Sequence, residues 1–414
     1  MIPITTLLAS LWFSLFAPLN VHDFGAMGDG TTDDTKAINS ALTAAHAQGK
    51  GLYFPSGTYL CNTPDGSGHI LTLNAGGLND ITLYGSGATI TTSDTGTAGK
   101  TSTLLYIYAF APSNGLIISR LRFVSSHPRT NQNTVGLFMT GTSGTNIRNT
   151  QLRDCAFSGF ALDAQGQGIK GWQIQRDSFY APNGHDDAFY GSNSGHPAVN
   201  LWFADNANGA CYNIDIEHCW ASGYTGPYPM TARRPMDGFI YGAGYGFKIT
   251  GNRTMNFGEE HIFLMPPSTD PATDATIVID SNDIDGALPR GITDDNGKPH
   301  KYNYGIRVDA SHAQISNNRI VNCAWGIMQR GTDYAGFAPQ DYHIFNNRIS
   351  APADTSRVVY KGAIYLNGHS AHKIPNVRVE NNAISAKDDT MPIKTYNLSS
   401  PAIGNNRKAR EPQQ

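Results

Sequence analysis

The chain has 414 residues and a formal net charge of −3, and only 15% of its residues are charged, against about 25% in ordinary globular chains. Gly (44) and Asn (33) are abundant while the Ala/Glu/Lys/Leu/Arg richness of helical proteins is missing, so a helical bundle or coiled coil is excluded. A hydrophobic content of 40% supplies a large core and excludes global disorder, and the lack of any basic run leaves no electrostatic footprint for nucleic acid.

At the start, an apolar run from Leu7 to Ala17 has the length of a secretory h-region rather than a membrane span. It is read as a signal peptide over residues 1–18, which places the protein outside the cell or in the periplasm; the other reading is a buried first strand. Next, Ala37, Ile38, Ala41, Leu42 and Ala45 repeat at helical spacing. Thr32 or Asp33 can cap that helix and Gly49 can end it, and a strand over 51–55 and a turn at Ser56-Gly57 follow. Asp29, Asp33 and Asp34 sit among glycines and threonines, where turn and cap duty is expected. The five cysteines form no CxxC pair; at most Cys211 and Cys219 would join.

This opening, VHDFGAMGDGTTDDTKAINSALTAAHAQGKGLYFPSGTYL, resembles that of the pectate-lyase-like superfamily. The resemblance covers about forty residues. It implies an all-β fold, a right-handed parallel β-helix solenoid with a short N-terminal capping helix: cap and first coil over 19–60, β-helix over 61–400, and a tail over 401–414. That opening is shared by lyases, glycoside hydrolases, epimerase-like proteins and phage tailspikes.

The remaining chain supports a solenoid by its own repetition. A short strand, a polar turn and a second apolar pair recur, and the turn column reads Asp177, His218, Arg253, Asn282, Asn318, Asn347, Asn382. Such periods mean stacked repeats, about ten coils here, each needing its neighbours to bury its apolar face. An Asn ladder explains the column, because Asn tolerates left-handed backbone and its amide can bond to the next coil. Glu217 and His218 are therefore read as turn residues. Asp280-Ser-Asn-Asp-Ile-Asp and Asp294-Asp-Asn-Gly look calcium-like but lack the full loop spacing, so turns are expected there too.

In the longer coils between 180 and 310, a second register matches Asp187-Ala-Phe-Tyr, Asp237-Gly-Phe-Ile, His261-Ile-Phe-Leu, Tyr304-Gly-Ile-Arg and Trp325-Gly-Ile-Met. In-register stacking puts equivalent residues on successive coils about 4.8 Å apart, so Asp187, Asp237 and His261 are expected in one outward column. His185, Asp186, Glu259 and Glu260 precede them, and Arg233, Arg234, Lys301 and Arg307 could line the same face. Closely held carboxylates raise one pKa and give an acid beside a base, which glycosidic cleavage needs.

The catalytic set is accordingly Asp187, Asp237, His261, Asp186 and Glu260, and the substrate-binding set His185, Glu259, Arg234, Tyr304 and Arg307. Trp202, Tyr224, Tyr228, Tyr241 and Tyr245 fall in the same region, for packing or sugar stacking. The cluster is similar to the acid, His and basic groups of polygalacturonase-type hydrolases but lacks their Asn-Thr-Asp, Gly-His-Gly and Arg-Ile-Lys motifs. The expected function is secreted polysaccharide cleavage, hydrolysis before β-elimination, with a polysaccharide as partner. No cofactor is expected, except Ca²⁺ if the reaction is elimination. A glycan-binding spike without catalysis is the reading from another class.

Overall fold

The computed structural model describes residues 17–94, 101–126, 134–142, 147–180, 185–186, 199–204, 211–223, 233–234, 238–266, 275–287, 303–330, 339–352, 360–368, 373–385 and 393–408. The helix spans Thr35–Gln48 and turns Ile38, Ala41, Leu42 and Ala45 inward, the i, i+3, i+4, i+7 stripe that buries one helical face. Gly49 ends it in the left-handed region (φ 58°), its N–H donating to the carbonyls at the last turn. The Asp33 carboxylate accepts from the Thr35 N–H at 3.0 Å, while Asp34 accepts from the N–H groups of Met27 and Gly28. Asp29 accepts from those of Thr31 and Thr32. The Gly-Asp-Gly-rich opening is thus turn chemistry, as expected, but the N-cap residue is Asp34, whose side chain makes no cap bond, rather than Thr32 or Asp33.

Beyond the helix the chain winds into a right-handed parallel β-helix with three strands per coil, and each strand pairs in parallel with its equivalents one coil below and one above. In one coil these are Lys248–Thr250, Arg253–Met255 and Glu260–Met265; in the next, Ile277–Asp280, Asp283–Asp285 and Tyr304–Val308. The third stack runs from His69–Ala75 to Ile393–Tyr396, eleven strands among the described residues. Its central inward column is Leu71, Leu105, Leu137, Ala164, Leu201, Ile240, Ile262, Ile306, Ile327, Ile364 and Ile393. The four apolar side chains of the helix belong to the same buried cluster as these coils, so it covers the first coils' core.

The corner between the first and second strands of each coil is a two-residue turn. Its first residue is left-handed in coil after coil: Arg176, His218, Gly251, Ser281, Asn317, Asn346, Asn381 and Asn405, with φ between 54° and 65°. The second residue points inward. From Asn252 onward it is Asn282, Asn318, Asn347, Asn382 and Asn406, each passing its backbone N–H and side-chain N–H to the next Oδ1 at 2.9–3.0 Å. The same amides donate backward to buried carbonyls such as those of Ile249 and Ile279. Every polar group in this buried seam is satisfied within it, which removes the penalty of placing an amide in the core.

The expected ladder is therefore present, with two corrections. The ladder residues are Cys219 and Asn252, not His218 and Arg253. At Cys219 a thiol takes the inward place, so the amide that marks the column is missing and the register slipped. His218 keeps its turn role at φ 56°, and Glu217 lies on the strand before it, paired with Lys248. Asp280 also serves a turn, accepting from Ser316 and Asn317 of the next coil; Asp294 lies outside the described residues. The solenoid does not stop at residue 400: Ala402–Gly404 and Arg407–Lys408 pair with the preceding coil, because the Asn405-Asn406 turn extends the ladder one step further. All five cysteines are free and buried, and Cys211 and Cys219 do not pair, each packing as a small apolar side chain. Of the expected signal peptide, residues 1–16 lie outside the described residues.

Candidate functional site

The outward face of the third stack is where coil geometry and chemistry meet. Its middle column reads Tyr106, Phe138, Gln165, Trp202, Tyr241, Phe263, Arg307, Met328, Tyr365 and Lys394. Tyr241 meets Trp202 and Phe263 edge-on, with ring centroids 6.5 and 4.9 Å apart. The Arg307 guanidinium lies 4.1 Å above the Phe263 ring. An aromatic strip thus runs straight into a charge.

Arg307 is held between two carboxyls. Its Nη1 donates to Glu260 Oε1 at 3.1 Å, and its Nε and Nη2 both donate to Asp309 Oδ2, at 3.1 and 2.8 Å. The other Asp309 oxygen accepts from the Arg330 N–H. The side chains of Glu260 and Arg307 keep 12% and 13% of their surface open, and Asp309 only 1%. Tyr304 stands in register with Glu260 one coil on. Burial, reinforced by the Glu259 charge, pushes the Glu260 carboxyl up to about 7 despite Arg307. Burial also raises Asp309, with Arg307 opposing. One cation cannot fully stabilise two desolvated anions, so one carboxyl keeps its proton, and Glu260, nearer solvent, is placed to exchange it. Both carboxylates turn toward Arg307, which does not fit a Ca²⁺ cradle.

Residues 19–221 match a family described as rhamnogalacturonase A/epimerase, pectate lyase-like. Over that stretch, a little under half of its length, the chain is similar to that family. Among curated relatives, a mannuronan C5-epimerase of Azotobacter vinelandii is 61% identical over 41 residues, 10% of this chain and 3% of its own length. An alginate lyase of the same organism is 63% identical over 41 residues, 10% of this chain and 5% of its own length. The chain therefore spans only a few per cent of the curated relatives it matches. In three dimensions it is similar to an exopolygalacturonase from Thermotoga maritima, with a TM-score of 0.59, 12% identity, and coverage of 94% of this chain and 91% of that one. It is equally similar to a surface adhesin of Streptococcus pneumoniae, with a TM-score of 0.59, 15% identity, and coverage of 94% and 93%. A tailspike protein of an E. coli bacteriophage in complex with a pentasaccharide gives a TM-score of 0.60 at 13% identity, covering 96% of this chain and 66% of that one. At these identities the likeness is one of fold.

On this β-helical frame, the expected site residues divide. Glu260, Tyr304 and Arg307 come together on the outward face as expected, with Glu259 beside them. His261 does not. It is fully buried, its Nδ1 2.7 Å from Thr254 Oγ1 and its ring edge-on to Phe257. Burial drives its pKa down to about 3, so it is a neutral core residue. The expected register had matched Asp237-Gly-Phe-Ile to His261-Ile-Phe-Leu position by position. The ladder instead pairs Ile240 with Ile262, two residues away, which sets Gly238 opposite Glu260 and Phe239 opposite His261. Phe239 and Ile240 are both buried, as are His261 and Ile262, so His261 faces the core where strict alternation would have turned it outward.

The Asp187 match also fails in register. The third strand of its coil is Val199–Ala204, paired with Gly238–Tyr245, where the expected register had placed Asp187-Ala-Phe-Tyr. Asp187 and Asp237 themselves lie outside the described residues. For Asp186, His185 and Arg234 the backbone is described: His185–Asp186 pairs antiparallel with Arg233–Arg234. Tyr245 is core, Trp202 and Tyr241 are on the face, and Tyr224 and Tyr228 lie outside the described residues. Asp309 was missed, although Arg307-Val308-Asp309 places both charges on one face by strand alternation.

Proposed function

We propose that the protein cleaves glycosidic bonds of an extended polysaccharide lying along the outward face of the third stack, by hydrolysis, with Glu260 as proton donor. The observation that carries this reading is the single guanidinium of Arg307 shared by two buried carboxyls at the end of an aromatic strip. Burial and the Glu259 charge raise the Glu260 carboxyl to about 7 despite that guanidinium, so a share of the molecules carries the proton near neutral pH, the state a general acid needs. Asp309 acts as a positioning residue, holding the guanidinium through two bonds. The second carboxylate of the reaction is assigned to Asp237, the residue before Gly238, whose strand neighbours that of Glu260; Asp186 and Asp187 are the other candidates. The apolar run at 7–17 supports export.

A second reading, β-elimination on a uronate, draws on Tyr304 and Arg307 flanking Glu260 on the same face. Digesting a glycan panel with and without chelator, and reading both reducing ends and unsaturated uronates, tests the choice. New reducing ends without unsaturation, unaffected by chelator, are expected. Unsaturated products would replace hydrolysis by elimination, and glycans bound but left intact would make the protein a binding module.

A further inference from the structure

The outward column does not end at Arg307; it continues through Met328 and Tyr365 to Lys394. Trp325, Lys361, Tyr365, Lys394 and Tyr396, with two Asn side chains, line a groove of about 510 Å³. The rings of Trp325 and Tyr365 are 4.8 Å apart and those of Tyr365 and Tyr396 5.9 Å. Lys394 Nζ lies 5.5 Å from the Trp325 ring centre, and Tyr396 is 53% exposed. Among the described residues no acidic side chain lines the groove. On the other side of Arg307 the same column, Phe263 back to Tyr106, is aromatic or amide and carries no charge.

We infer that this groove is a subsite for an anionic sugar residue, a pyranose bearing carboxylate or sulfate, stacked on the Trp325 and Tyr365 rings with its charge toward Lys361 and Lys394. Flat aromatic faces in a wet groove suit the apolar face of a pyranose, and ammonium groups on flexible stems serve as point charges for an anion. Arg307 and Lys394 are three coils apart, roughly 14 Å at about 4.8 Å per coil, so one oligosaccharide can occupy the groove and reach Glu260. The charge asymmetry then fixes which side of the reaction centre recognises the anion. This inference rests on the proposed function only in taking that face as the polysaccharide track.

The test is calorimetry on the Glu260→Gln protein with oligogalacturonate, oligomannuronate, their carboxyl-reduced neutral forms and a sulfated galactan oligosaccharide. Selective binding of a carboxylated or a sulfated probe over the neutral ones is expected, and the preferred probe identifies the anion. Adding Lys361→Gln and Lys394→Gln should weaken that binding roughly tenfold, about 1.4 kcal/mol, and leave neutral probes unchanged. Tyr365→Ala should weaken charged and neutral probes alike. Circular dichroism and melting confirm that each variant is folded. Equal affinity for charged and neutral probes, no binding of any anionic probe, or undiminished binding by the folded double lysine variant would each overturn the subsite. Residual cleavage by Glu260→Gln would count against the proton-donor assignment alone, because binding is read separately.

Discussion

Two columns of one solenoid, stacked by the same coil rise, behave in opposite ways. At the corner from Asn252 to Asn406 every coil presents the same residue to the same partners, and the amides satisfy one another in a closed seam. On the outward face of the third stack, successive coils present Tyr241, Phe263, Arg307, Met328 and Tyr365. Repetition at the corner provides stability; variation on the face provides a surface that changes along the axis. A residue's column therefore says more about its role than its chemistry does, as a histidine in an inward column and a glutamate one position earlier demonstrate.

The largest effect expected is at Glu260. Glu260→Gln keeps the shape and removes the proton, and should lower turnover about 10² to 10⁴-fold with melting temperature little changed. Activity within a few-fold of the parent would mean the face is not the reaction centre. The corner should respond in the opposite sense. Asn347→Ala leaves buried donors on Asn318 without an acceptor and should cost roughly 2–4 kcal/mol in chemical denaturation, while the activity per folded molecule stays the same.

Smaller effects follow from pH. Turnover should fall as pH rises through about 7, where Glu260 loses its proton, and Asp309→Asn should move that limb to lower pH, since the Asp309 charge helps to raise Glu260. In stability the same carboxyl favours the fold below about pH 4.5, its unfolded value, and loses that contribution as pH rises toward 7. His261 has the opposite sign. Its folded pKa is lowered to about 3, so its contribution is complete above about 6.5 and is lost as pH falls. His261→Phe should flatten acid unfolding across that window without abolishing turnover. A variant that folds normally but no longer turns over would return the imidazole to the mechanism. The smallest change is expected for His218→Asn, within about 0.5 kcal/mol, since Asn accepts the left-handed corner and the ring takes no part in the face.

The fold was legible because its signals are local. The cap stripe at Ile38 to Ala45 and the Asn of the corner are residue types that the backbone itself requires. The site was legible only in part. Glu260, Tyr304 and Arg307 could be found because charges are scarce in this chain and these three fall in the repeated third-strand pattern. Their exact column could not, since Gly-Phe-Ile and Ile-Phe-Leu are similar apolar strings and only stacking in three dimensions sets Phe239 opposite His261. A register error of two residues, with consecutive inward residues at His261 and Ile262, had put His261 on the surface. Asp309 escaped because its role exists only through Arg307, a relation across a turn of chemistry rather than a motif.

In-register stacking has one more consequence. Position along the axis comes in whole coils, so the separation between Glu260 and the Trp325–Lys394 groove is quantised, and no side-chain substitution can alter it by a fraction. The molecule is in this respect a ruler whose graduations are coils. Excising one complete coil between the two places, with the ladder rejoined, should shorten the preferred oligosaccharide by a whole number of sugars, whereas single substitutions on the face should leave that length as it was.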